Sequence, residues 1–184
     1  MLFNSIEYFL FLFVVFLVYW LVLAGKLHVQ NTFLLFAGYF FYGYWDWRFL
    51  FLLIGLTLIN YMIGLKIDRS AGSVSRRIWL IIAVVVNVGV LGLFKYYNFF
   101  IDSFVDLVSV FGFQISGSTA TVVLPLGISF YIFVSLSYVI DIYKGYLKAN
   151  RNAIEVLLAL SFFPIILAGP IQRPVTLLPQ ITKM

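Results

Sequence analysis

Residues 78–94 read IWLIIAVVVNVGVLGLF, seventeen positions without a charge, with Arg76 and Arg77 before them and Lys95 after. A helix rises about 1.5 Å per residue and must cross about 30 Å of hydrocarbon, so ~17–25 apolar residues make one span. The alternation of a barrel strand is absent, and an open strand would leave its amides unpaired in lipid. This stretch therefore predicts a transmembrane helix.

The same pattern recurs on both sides. Uncharged runs occupy 8–25, 29–45 and 49–65, and another covers 156–172. The run from Leu107 to Ile140 is longer and is broken by Gly112 and by Ser116-Gly117-Ser118-Thr119, which leaves a span over 122–143. The expected fold is an all-α integral membrane protein with about six transmembrane helices, at 8–25, 29–45, 49–65, 78–94, 122–143 and 156–171. Between the fourth and fifth, Ile101, Phe104, Val105, Val108 and Phe111 recur at helical spacing with Asp102, Asp106 and Ser109 opposite. That predicts a short interfacial helix over 99–112. Residues 1–184 then form a single transmembrane unit.

Composition agrees. The 184 residues are 64% hydrophobic and 10% charged, with a mean hydropathy of +1.07, whereas soluble domains are about a quarter charged. This excludes an ordinary cytosolic domain, a disordered chain and a nucleic-acid binder, and makes the lipid bilayer the expected partner. There is no cysteine and one histidine, His28, so no metal site is expected. Met1–Glu7 holds no Lys or Arg, which favours a retained anchor over a cleaved signal peptide. Lys26, Lys66, Arg69, Arg76, Arg77, Lys144, Lys148 and Arg151 fall on one side of a six-span chain, and Arg48, Lys95, Arg173 and Lys183 on the other. The positive-inside bias then puts the N-terminus outside.

Polar groups inside the spans carry most of the functional information, because each is costly in lipid. Asn60 and Asn87 lie in the third and fourth spans, and an interhelical hydrogen bond is their plain reading. Lys95 ends its span and snorkels to the interface. Pro125 is expected in the first turn of the fifth span, followed by Ser129, Ser135, Ser137 and Tyr138. Asp141 and Lys144, three residues apart, can pair at the inner boundary. So many polar or backbone-breaking positions in one span point to a helix that lines something wet.

Two longer stretches go beyond composition. Leu124-Pro125-Leu126-Gly127-Ile128-Ser129-Phe130-Tyr131 continues through Ser135-Leu136-Ser137-Tyr138-Val139-Ile140-Asp141. Ser161-Phe162-Phe163-Pro164 is followed by Leu167-Ala168-Gly169-Pro170-Ile171. With Leu2-Phe3-Asn4-Ser5 and Phe94-Lys95-Tyr96-Tyr97-Asn98-Phe99, they resemble, in order, the signatures of the membrane-bound O-acyltransferases, most closely the alginate O-acetyltransferase branch. The chain departs from the pattern at Val134, Lys144 and Ile165.

The resemblance implies the N-terminal part of a helical ring that encloses a passage for an acyl donor. It implies transfer of acetyl or acyl groups to hydroxyls of a cell-surface or exported polysaccharide, in the bacterial cytoplasmic membrane. Pro125, Gly127, Ser129, Tyr138, Asp141, Pro164, Gly169 and Pro170 would line that passage. The family's catalytic histidine lies further along than these 184 residues, and His28 does not match it, so no catalytic residue is expected in this chain. The resemblance further implies acetyl-CoA or an acyl carrier as donor on the cytoplasmic side, no bound cofactor, and a separate extracytoplasmic acetyltransferase as partner. Two other readings stay open: a small channel or transporter, and a truncated, non-catalytic remnant.

Overall fold

The computed structural model describes residues 5–110, 123–168 and 172–182. Within them the chain is helical. Helix α1 (Ile6–Leu17) runs into a π-helical turn (Val18–Val22), followed by α2 (Leu27–Trp45), α3 (Trp47–Arg69) and α4 (Ser73–Val110). Then come α5 (Ile128–Lys144), α6 (Ala153–Leu160), α7 (Phe163–Ala168) and α8 (Pro174–Thr182). Short polar side chains start several of these helices by accepting an otherwise orphaned N–H. Ser5 accepts from Tyr8, Asp46 from Arg48 and Asn152 from Ile154. Gly127 and Gly145 bracket α5 in the left-handed conformation, with φ +71° and +78°, a region that a Cβ disfavours.

Two described helices are long and apolar enough to cross a membrane, α3 and the 73–105 part of α4. They play different parts. In their most apolar stretches α3 is 39% buried within the protein and α4 only 11%. Helix α3 is thus the central post, packed on α2, α4, α5 and α6, while α4 turns most of its surface outward. Leu53, Leu56 and Ile67 of α3 join Tyr131, Tyr138 and Ile142 of α5 and Val156 and Leu160 of α6 in one core.

Several expectations change. The interfacial helix over 99–112 is not separate: α4 continues unbroken to Val110, since no proline or glycine interrupts residues 93–110. At about 1.5 Å per residue its 38 residues reach about 57 Å, beyond the depth of the bilayer core. The polar break at 116–119 lies outside the described residues. The fifth helix begins at Ile128 rather than 122, so Pro125 precedes it in a turn, where its carbonyl accepts from the Ile128 N–H at 3.3 Å.

The expected span over 156–171 is two short helices, α6 and α7, of eight and six residues. An eight-residue helix covers about 12 Å, less than the depth of the bilayer core. Pro164 has no N–H to return to the Leu160 carbonyl, and the Ser161 hydroxyl bonds back to the Leu157 carbonyl at 2.6 Å, which together end the first helix.

Helix α8 then lies back at the end of the bundle where α6 began. Arg173, just before it, pairs with Asp141 at the end of α5, and the Asn31 side chain near the start of α2 donates to the Ile181 carbonyl at 3.0 Å. Arg173 therefore belongs with the basic loops rather than opposite them, which sharpens the charge asymmetry.

Candidate functional site

The polar groups of the spans are drawn to the faces between α3, α4, α5 and α8. Asn60 and Asn87 are both fully buried and form a reciprocal amide pair. Asn87 Nδ2 donates to Asn60 Oδ1 at 2.8 Å, and Asn60 Nδ2 to Asn87 Oδ1 at 3.1 Å. Each amide nitrogen also donates within its own helix, to the Leu56 and Ala83 carbonyls. Nearby, Tyr131 Oη donates to Thr57 Oγ1 at 3.1 Å, and that hydroxyl donates to the Leu53 carbonyl. These groups satisfy one another; they do not line an aqueous path.

Further along α5 the satisfaction runs out. Ser135 Oγ, Tyr138 Oη and Asp141 Oδ2 are buried and make no hydrogen bond, and they recur every three residues along the helix. Tyr138 lies on Gly64 of α3, so close that a Cβ there would stand 2.8 Å from Tyr138 Cε1. Glycine at 64 is what lets this ring pass. Asp141 is fully buried, and its other oxygen accepts from Arg173. A buried carboxylate needs a paired cation, and here the cation arrives from the returning segment, its own side chain half exposed. The expected Asp141–Lys144 pair does not form; Lys144 lies over the Tyr146 ring at 6.0 Å.

The remaining candidates do not join this seam. Pro125, buried, and Gly127 stand at the opposite end of α5, where Tyr42 Oη donates to the Leu126 carbonyl at 3.0 Å. Ser129 is half-buried in the first turn of α5. Pro164 lines an apolar cavity of about 300 Å³ with Leu12, Phe16, Leu34 and Phe162. Lys95 is exposed on α4, over the Tyr96 ring. Gly169 and Pro170 lie outside the described residues. His28 is exposed, and no cluster of metal-ligating side chains occurs among the described residues. Sequence reasoning missed Arg173, Gly64, Thr57 and Tyr131. A glycine within a span and hydroxyls spaced by three or four residues were the available signals.

No family model matches the chain, and no solved structure matches it. The chain is 43% identical over 175 residues to the probable alginate O-acetylase AlgI of Pseudomonas aeruginosa, covering 94% of this chain and 33% of that protein. It is equally similar to the Pseudomonas putida protein of the same name, covering 94% and 35%. It is 32% identical over 171 residues to the peptidoglycan O-acetyltransferase of Helicobacter pylori, covering 80% and 32%. The chain thus spans about a third of the length of the curated relatives it matches. Along that third, the identity and the motifs agree: the chain belongs to the alginate O-acetylase branch of the membrane-bound O-acyltransferases.

Proposed function

We propose that the chain is the N-terminal helical portion of an O-acetyltransferase that passes acetyl or acyl groups to hydroxyls of a cell-surface or exported polysaccharide. The observation that carries this reading is the 43% identity to an alginate O-acetylase over 94% of the chain. The unsatisfied polar row on α5, closed at one end by Asp141 and Arg173, is what such an enzyme needs in the wall of a donor passage. An alcohol is a poor nucleophile until a base removes its proton. On this reading the base is a histidine in the part of the relatives that the chain does not match, and this chain alone does not catalyse transfer.

The reading extends to topology. α1 with its π turn, α2, α3, α4 and α5 cross the bilayer, and α6–α8 enter and return on the basic side. With the basic loops in the cytoplasm, the N-terminus lies outside, in a bacterial inner membrane. Acetyl-CoA or an acylated carrier supplies the acyl group from the cytoplasmic side, and a separate extracytoplasmic transferase completes delivery.

A chimera tests the proposal. Residues 1–184 replace the matching third of the Pseudomonas aeruginosa alginate O-acetylase in a strain lacking that gene. Polymer-bound O-acetyl groups, measured against membrane abundance of the chimera, should persist in the parent chimera and fall when it carries Asp141→Ala. A parent chimera present at normal abundance without acetylation contradicts the reading; unchanged acetylation with Asp141→Ala removes Asp141 from the passage.

A further inference from the structure

We propose that the basic end of the bundle carries a site for the phosphate of an anionic phospholipid headgroup, in the cavity lined by Ala71, Ser73, Arg76 and Tyr143. The cavity holds about 300 Å³. Arg76, in the first turn of α4, donates through one terminal nitrogen to the carbonyls of Ile142 at 3.1 Å and Tyr143 at 2.9 Å. That fixes the guanidinium against the last turn of α5, while its Nε is buried without a partner. A guanidinium has five N–H donors and no acceptor, and buried donors are almost always satisfied. A phosphate in the cavity would meet the guanidinium N–H groups that line it, because its oxygens accept from the guanidinium fork. Ser73 adds a hydroxyl to the same cavity wall, and the Tyr143 ring lies 5.8 Å from the guanidinium carbon.

The surroundings favour a lipid as the source of that phosphate. Lys66 lies over Trp79 at 5.9 Å and Lys144 over Tyr146 at 6.0 Å. With Arg76 and Tyr143 they form a girdle of cations on aromatic rings, the arrangement found at headgroup level. Two of the three acidic groups at this end are already committed: Asp141 to Arg173, and Glu155 to Asn150 and Asn152. Only Asp68 is exposed among the basic residues Lys66, Arg69, Arg77, Lys144 and Lys148, so the local field attracts anionic lipid. Val74 (71% exposed) and Ile78 (51% exposed) add exposed apolar side chains to the first turns of α4 at this end of the bundle.

The test is native mass spectrometry of the full chain in detergent, titrated with phosphatidylglycerol or phosphatidylcholine. Phosphatidylglycerol should be retained preferentially, and Arg76→Lys, which keeps the charge but loses the fork, should weaken that retention about tenfold. Arg77→Ala, which removes a whole charge from the neighbouring residue, should change it less than Arg76→Lys does. Because Arg76 also holds α5, Ser73→Ala provides a second variant, with an expected loss of about threefold at unchanged melting temperature. Equal retention of the two lipids, an Arg77→Ala loss as large as that of Arg76→Lys, or no change in Ser73→Ala overturns the proposal. Excess inorganic phosphate should leave the lipid bound; full displacement would assign the cavity to soluble phosphate instead.

Discussion

Replacing Asn60 by leucine isolates the cost of breaking a satisfied polar pair inside a membrane bundle. The substitution removes both hydrogen bonds between the two amides, made at 2.8 and 3.1 Å. It leaves Asn87 Oδ1 with no partner, and one Asn87 donor unpaired, at a position with no solvent exposure. An interhelical polar contact in lipid is worth about 0.6 kcal/mol on average and about 1.7 at most. An orphaned buried group adds about 1–3 kcal/mol. Asn60→Leu should therefore cost about 2 kcal/mol, and Asn87→Leu about as much by the same reasoning. The double variant removes both polar groups together and should cost about 1 kcal/mol or less. The assay is reversible unfolding of the full chain in mixed micelles with increasing dodecyl sulfate, read by circular dichroism. Single costs that add to within about 0.5 kcal/mol in the double variant would refute the pairing. That outcome would favour two independently hydrated side chains, as in a channel.

Other outcomes follow from close contacts and charge. Gly64→Ala forces a Cβ to within 2.8 Å of Tyr138 Cε1, which should destabilise the protein by about 1–3 kcal/mol in the same unfolding assay; an unchanged midpoint would show that the ring moves freely. Arg173→Ala strands the buried Asp141 carboxylate and should cost more than the double change Arg173→Ala, Asp141→Asn, which removes the charge as well; equal costs would mean the pair is not made. The hydrogen bonds from Arg48, side chain first and then backbone, hold the Asp46 carboxyl below its ordinary range. The cap on α3 is therefore intact above about pH 3.9, the free value, and is lost only as pH falls through the lower folded value. Carbon-13 NMR of Asp46 should show titration below the free value in the parent and a rise towards it in Arg48→Ala; identical titrations would contradict the contact.

The sequence makes the rods legible because lipid leaves so little choice. A seventeen-residue uncharged run between arginines and a lysine must be helical to satisfy its backbone, and α3 and α4 contain the runs 49–65 and 78–94. What it obscures is continuity and depth. Lys95 and the acidic face after it mark a polar boundary, but polarity does not stop a helix that lacks a breaker, so α4 runs on to Val110. Conversely, 156–172 is apolar enough for a span, yet Ser161 and Pro164 break it locally, and a hydropathy count is blind to that. The site was half visible. Asn60, Asn87 and Asp141 stand out as polar residues in lipid, whereas their partners depend on long-range packing. Arg173 lies 32 residues from Asp141, and charge spacing pointed instead to Lys144, on the same helix. Gly64 has meaning only once Tyr138 is placed against it.

The return of α8 to the basic end is the claim on which the Asp141–Arg173 site depends. The chain contains no cysteine, so single cysteines can be placed at the exposed positions Trp47, Arg77, Arg151 and Thr176 and labelled from either side of sealed membrane vesicles with an impermeant maleimide. Positions 77, 151 and 176 should react from one side and position 47 from the other. Labelling of position 176 from the side of position 47 would mean that the segment after α6 crosses the bilayer, and would contradict the account.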